Sequence, residues 1–395
     1  MKRPVGLGAL LALAFPLALA AQSAPPQAAG ADTNAKKADP APAAAAANHL
    51  ETTLAGFKLT GFTEASYAYS GRSSGDTAIV GRLYDRLQNR FTLNALAVVL
   101  DKPYDPAKFS AGFHGELLLG QDATVIQSNG FNLGAQADLP HLYVTLNVPT
   151  ASGNGVQFKL GRIPTLLGLE VIETYANPNW SEGNQFIYVE NFTALGVSVE
   201  TKFNNYVDAQ VRVINGWDQV SDNNNRKSLM GRVGIYPDAL TSLGIVGYWG
   251  PEEAGINNAN RYGVDGLLWR KLGKAAVWLQ GDYGKEQANA ALPVPTRDAQ
   301  WWAVGGWVTY DASASFGLAL RGDYVDDRDG ARTSGVFGFP ANTGQKFGSG
   351  TATLNIRAWP NAVVRPELRY DRSTLAAFDG RKNQLTLALA VAYLY

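Results

Sequence analysis

Two short stretches carry charge at every second position: Arg321 and Asp323 in 320–324, and Arg365, Glu367, Arg369 and Asp371 in 365–371. Arg212 and Arg232 stand in similar alternating stretches, and Arg162 follows another. A spacing of two puts such groups on one face of a strand. Rows of guanidinium and carboxylate groups solvate, orient water and sort small solutes by charge. A second set of charges, Glu170, Glu173 and Glu182, falls in the stretch 164–191, among Leu166, Leu167, Leu169, Val171 and Ile172. A connection this long is functional or disordered, and its apolar residues predict that it packs against something, with an inner wall preferred to an outer surface. Folded inward, it narrows the lumen and sets three carboxylates opposite the arginines across a thin aqueous gap.

Bond-making chemistry has little to work with. The chain has no Cys and only three His, at 49, 114 and 141, which argues against thiolate or histidine-built metal sites. Ser110 shares the face of His114, but four residues of strand separate them by roughly 13 Å, well beyond the ~3 Å a general base needs. No Gly-x-Ser-x-Gly elbow occurs. The run Asp326-Asp327-Arg328-Asp329-Gly330 lacks the spacing and terminal Glu of a calcium loop and reads as a solvated turn. No catalytic residue, metal or cofactor is expected. With 34 basic and 34 acidic residues, nucleic acid is not an expected partner either.

The elements that must position these charges follow from periodicity. From Phe57 onward apolar and polar residues alternate: Leu59, Thr63, Ala65, Tyr67 and Tyr69 against Lys58, Thr60, Glu64 and Ser66, and finally Leu385, Leu387, Leu389, Val391, Tyr393 and Tyr395 against Gln384, Thr386 and alanines. About sixteen such segments are predicted, near 57–70, 89–100, 107–120, 140–148, 156–163, 192–203, 206–216, 227–236, 242–250, 261–270, 274–285, 299–310, 314–325, 349–359, 363–372 and 383–395. Segments of this kind, even in number, are the signature of an antiparallel up-and-down transmembrane β-barrel. Short connections (101–103, 204–205, 237–238, 271–273, 311–313, 360–361) alternate with long ones (71–88, 121–139, 164–191, 217–226, 286–298, 326–348). Short turns face the periplasm in this class, which puts both termini there. Aromatic residues of the outward parity form two rows, one at each end of the strands, as the two membrane interfaces favour. On that parity an Arg facing lipid would cost roughly 2–4 kcal/mol at the midplane, so the charged rows face the lumen.

The N-terminus is expected to lie outside this fold. Lys2 and Arg3, the uncharged apolar run from Val5 to Leu19 and the small residues Ala18-Leu19-Ala20 predict a signal peptide over 1–20. Residues 21–56, rich in Ala and Pro with few large apolar side chains, predict a disordered periplasmic linker. The barrel occupies 57–395.

Gly161-Arg162 followed by Gly168, Glu170 and Asn177-Pro178 resembles the corresponding stretch of the putative beta-barrel porin-2 family of Gram-negative outer-membrane proteins. Asn215-Gly216-Trp217-Asp218 with Asp222-Asn223-Asn224, the run from Leu320 to Gly330, and Arg365-Pro366-Glu367-Leu368-Arg369-Tyr370-Asp371 are similar as well. The resemblance covers 57–395 and implies an outer-membrane porin without assigning a solute. Tyr395 stands where such barrels most often end in Phe. The expected function is a water-filled channel for small hydrophilic solutes or ions. The pore-lining set is Arg162, Glu170, Glu173, Glu182, Arg212, Arg232, Arg321, Asp323, Arg365, Glu367, Arg369 and Asp371. Expected partners are outer-membrane lipid, the barrel-assembly machinery acting on the last strand, and further copies of the chain in a homo-oligomer. The alternatives are a sheath around a threaded partner protein and an outer-membrane enzyme.

Overall fold

The computed structural model describes residues 56–71, 78–131 and 133–395. The expected signal peptide and the linker up to residue 55 lie outside the described residues. The alternating segments become strands because β-branched and aromatic residues suit a pleated surface. In chain order they are β1 (Lys58–Ser70), β2 (Arg90–Lys102), β3 (Ser110–Leu119), the two-residue β4 (Ala137–Asp138), β5 (Leu142–Val148) and β6 (Val156–Pro164). Next come β7 (Thr193–Lys202), β8 (Val207–Ile214), β9 (Ser228–Asp238), β10 (Thr241–Gly250), β11 (Arg261–Leu272) and β12 (Ala275–Glu286). The series ends with β13 (Ala299–Asp311), β14 (Phe316–Asp327), β15 (Gln345–Trp359), β16 (Ala362–Ser373) and β17 (Asn383–Leu394).

Apart from β4, sixteen strands make the wall, each antiparallel to its neighbours. Pairing of β1 with β17, Phe62 opposite Leu394 and Ser70 opposite Thr386, closes the sheet into a barrel. Closure leaves no edge strand whose amides would face lipid unpaired. Among the described residues no helix is long and apolar enough to cross a membrane. The predicted parity holds. On β17 the outward Leu387 and Tyr393 are 52% and 47% exposed, while Thr386, Ala390 and Ala392 of the other parity are buried. Tyr310, Phe316 and Tyr393 stand exposed at the short-turn end, and Trp249, Tyr283, Trp302 and Tyr370 at the long-loop end.

The turns differ from expectation in detail. Asp101 and Lys102 belong to β2, where they pair with His114 and Phe113, and the turn runs over 103–109 instead. Pro103 has no N–H to continue the ladder. Asp105 then organises the turn, its side chain accepting from Ala107 N at 3.0 Å and its own amide donating to Ser110 Oγ at 2.9 Å. Likewise Pro237 and Asp238 end β9, and Asp238 accepts from Leu240 N at 2.7 Å to set the turn. Lys271-Leu272 and Asp311 also lie within strands. Turn residues that keep pairing were read one or two positions too early.

Candidate functional site

The connection between β6 and β7 turns inward. It contains a single 3-10 turn, Thr174–Ala176, and one short helix, Asn184–Val189, whose six residues are all buried. Thr165 Oγ1 donates to Asn191 Oδ1 at 2.9 Å and draws the two limbs together at the base. Asn177 clamps the first limb, its Oδ1 accepting from Val171 N at 2.9 Å and its Nδ2 donating to Val171 O at 2.8 Å. Gly168 has φ +69°, and a Cβ there would fall 2.1 Å from Glu190 Oε1, so no larger residue fits.

From this base the loop crosses the lumen to the far wall. Leu169 N donates to Gln280 on β12 at 3.2 Å, and Gln185 Nε2 to Asp282 on the same strand at 2.6 Å. Asn184 donates twice to Asp323 on β14, at 3.1 and 2.5 Å. Asn179 Nδ2 reaches Thr353 on β15 at 2.7 Å, Trp180 N reaches Glu367 on β16 at 2.8 Å, and the Trp180 indole reaches Glu64 on β1 at 2.9 Å.

The arginine row grips this loop mainly through its backbone. Arg321 donates to Ser181 O at 2.5 Å, Thr351 Oγ1 at 3.0 Å and Glu170 Oε1 at 2.8 Å. Arg365 holds Thr174 O at 2.7 Å and Asn177 O at 2.6 Å. Arg369 holds Glu182 O at 2.5 Å and Asn184 Oδ1 at 3.0 Å, braced by Asp371 at 2.9 Å. Arg212 donates to Pro164 O where the loop leaves the wall. Carbonyls that a non-helical segment would otherwise bury unsatisfied thus receive charged donors, which make stronger hydrogen bonds than neutral ones.

Of the twelve expected residues, Glu170, Arg321, Asp323, Arg365, Glu367, Arg369 and Asp371 join in one network around the loop, Glu182 enters it only by its backbone carbonyl, and Arg212 holds only the loop's base. Arg162 and Arg232 do not touch the loop. Arg162 makes a bidentate pair with Asp138 (2.7 and 2.9 Å), which pins β4 to the wall, and Arg232 pairs with Asp208 at 2.6 Å. The expected aqueous gap between loop carboxylates and arginines is not what the geometry gives. Glu170 touches Arg321 directly and also accepts from Gly183 N at 2.5 Å and the Trp307 indole at 3.1 Å. Glu173 lies 3.3 Å from His141, not from an arginine. Neither carboxylate oxygen of Glu182 has a hydrogen-bond partner among the described residues. Folding the loop against the wall removes the water that would have filled the gap.

Burial, aided by the charges of Glu170, Asp85 and Asp122, pushes the Glu182 carboxyl well above its usual range. Glu190 is pushed up in the same way, by burial and then by Asp265. A carboxyl with a raised folded-state value binds its proton more tightly folded than unfolded, so its contribution to stability falls as pH rises past the ordinary value of 4.5. Glu182→Gln is therefore expected to raise stability at neutral pH and to flatten its decline above pH 4.5. Urea titrations of lipid-folded protein at several pH values check this, and a variant as pH-sensitive as the parent would refute it.

Some of the site was invisible in the sequence. Arg82 hydrogen-bonds Asp371 and Thr386, both at 2.5 Å, and ion-pairs with Asp85. It thereby ties the connection after β1 to the same row. The Arg-x-x-Asp spacing was its only local mark. Asn179, Ser181, Asn184 and Gln185 carry no charge pattern that would have singled them out.

No curated protein matches this chain. Among solved structures, a loop L8 deletion mutant of OmpT, an outer membrane protein of Vibrio cholerae, aligns with TM-score 0.57 at 10% identity, covering 86% of this chain and 99% of that one. OmpT in its trimer form gives 0.54 at 9% identity, with the same coverage. Pseudomonas putida OprB at high pH gives 0.56 at 11% identity, covering 86% of this chain and 94% of that one. At these identities the likeness is one of fold. A family model described as putative beta-barrel porin-2, OmpL-like, matches residues 56–395. The chain belongs to that family of outer-membrane porin-type channels.

Proposed function

We propose that the protein is a diffusion channel for small hydrophilic solutes or ions, narrowed by the loop between β6 and β7. A wall of sixteen strands encloses more space than its own side chains fill, and the inward charges and clamped loop restrict what remains. That combination carries the reading. The loop's occupation of the lumen weighs against a threaded protein partner. In planar bilayers the folded protein is expected to give discrete, ohmic steps, with a reversal potential in a KCl gradient that reports its selectivity. Folded protein that inserts but never conducts would end this reading.

The leader 1–20 would direct export, and both termini would face the periplasm beside the short turns. Lipid would contact the outward apolar band. A homo-oligomer fits this picture, since one neighbour is described in a trimer form. Residues 21–50 offer no apolar anchor to a barrel, so their removal is expected to leave heat-modifiability and unitary conductance unchanged. A large loss of folded protein would show that the segment plugs or staples the barrel.

A further inference from the structure

Four strands round the wall from the arginines of β16, His114 and Glu116 of β3 and His141, just before β5, bring one potential ligand atom each to within 4.8 Å of one another. We propose that these three residues form a binding site for a first-row divalent metal of the zinc class.

Two imidazoles and one carboxylate suit such ions, and leave a fourth position for water or another ligand. All three side chains are more than nine-tenths buried. The surroundings are those of a ligand set. Asp101 lies 2.7 Å from Nδ1 of His114 and can hold that nitrogen protonated, which presents Nε2 for coordination. Tyr143 stacks on the same ring at 5.0 Å and 15° and fixes its plane. Glu116 Oε2 and Glu173 Oε1 both approach Nδ1 of His141, at 3.1 and 3.3 Å. The other nitrogen of His141, Nε2, and the Oε1 of Glu116 are buried without a hydrogen-bond partner among the described residues.

A buried polar atom left unpaired costs about 1–3 kcal/mol, and a metal taken up between His141 Nδ1 and Glu116, whose Oε2 lies 3.1 Å from that nitrogen, would satisfy Glu116 Oε1. Among the described residues the ion pairs of Glu116 and Glu173 are with His141 alone, so two carboxylates share one imidazole. A divalent ion supplies the missing positive charge. Donors on a tetrahedral zinc ion stand about 3.3 Å apart, so closing from 4.8 Å needs only small side-chain rotations. Because Glu173 belongs to the inner loop, the metal would fasten that loop on the β3 side as the arginines fasten it on the other.

The test uses the full chain folded into lipid and stripped with chelator. Titration with Co²⁺ is expected to give the visible absorption of a four- or five-coordinate site, saturating at one ion per chain and bleached by an equal amount of Zn²⁺. His114→Asn and His141→Asn should each abolish the signal. A chain lacking residues 21–50, and with them His49, should retain it. Absence of a stoichiometric Co²⁺ signal in folded parent protein would overturn the site, as would a signal that survives both substitutions or disappears with His49. Should the variants fail to fold, X-ray absorption on Zn²⁺-loaded parent decides: two imidazoles in the shell support the assignment, and none removes it.

Discussion

Deleting residues 168–182 is expected to raise unitary conductance severalfold and to shift selectivity toward anions. The segment contains the turn Thr174–Ala176, the Trp180 indole that reaches Glu64, and the carbonyls held by Arg321, Arg365 and Arg369. Without it the lumen is bounded by the wall alone, and a sixteen-strand wall leaves an aqueous channel. Glu170, Glu173 and Glu182 leave with it, while Arg321, Arg365 and Arg369 lose their carbonyl partners and face water. Wall arginines within one Debye length of a permeating ion, ~8 Å at physiological salt, then act on it almost unscreened.

The single substitution Glu170→Gln is a different experiment. Arg321 keeps Ser181 O, Thr351 and the neighbouring Asp323, so the loop stays seated and conductance changes little. What it loses is a buried ion pair, and because Asp323 still faces Arg321 at 3.4 Å the cost falls below the roughly 3–5 kcal/mol of an uncompensated buried charge. Single-channel recording of both variants, with heat-modifiability as the folding control, separates constriction from stability. A deletion variant that folds yet conducts and selects like the parent would place the constriction elsewhere.

The wall was legible in the sequence because its signal is local. Each strand reports its own parity, and a charge such as Arg369 on the inward parity has one tolerable location. The grip on the loop was not legible. Arg365 meets Thr174 and Asn177 across more than 180 residues of chain, and the partners are backbone carbonyls, which every residue possesses. Glu173 could be recognised as a charge, but its neighbour His141 sits two strands back in the chain and no periodicity joins them. Arginine was assigned a field across water, whereas a low-dielectric interior favours it as a multidentate donor to a folded-in segment. The local sequence of 164–191 states that it packs; only the closed barrel determines against what.

Removing Tyr393 to Tyr395 is expected to nearly abolish assembled protein in the outer membrane. These residues close the seam. Tyr395 N donates to Gly61 O at 3.0 Å, Gly61 N returns a bond to Tyr395 O at 2.8 Å, and the Tyr395 hydroxyl reaches Ala97 O on β2 at 2.8 Å. Leu394 and Tyr393 stand opposite Phe62 and Thr63. The Tyr395 ring lies over Gly61, where an added Cβ would come within 2.8 Å of it, so glycine and aromatic cover one another as in other sheets with this pairing. Truncation strips these partners from β1 and also deletes the last outward aromatic of the short-turn row. Unpaired strand amides in lipid cost several kcal/mol each, more than a marginally stable fold can absorb. The same aromatic end is the part that the barrel-assembly machinery is expected, from the sequence, to act on, so the thermodynamic and assembly effects act in one direction. Tyr395→Phe tells them apart from a simple hydroxyl effect: it keeps the ring on Gly61 and loses one hydrogen bond, about 1 kcal/mol, so near-normal amounts should reach the membrane. Heat-modifiable protein in outer-membrane fractions is the measurement. Parental levels in the truncated chain would mean that the seam closes without its last three residues.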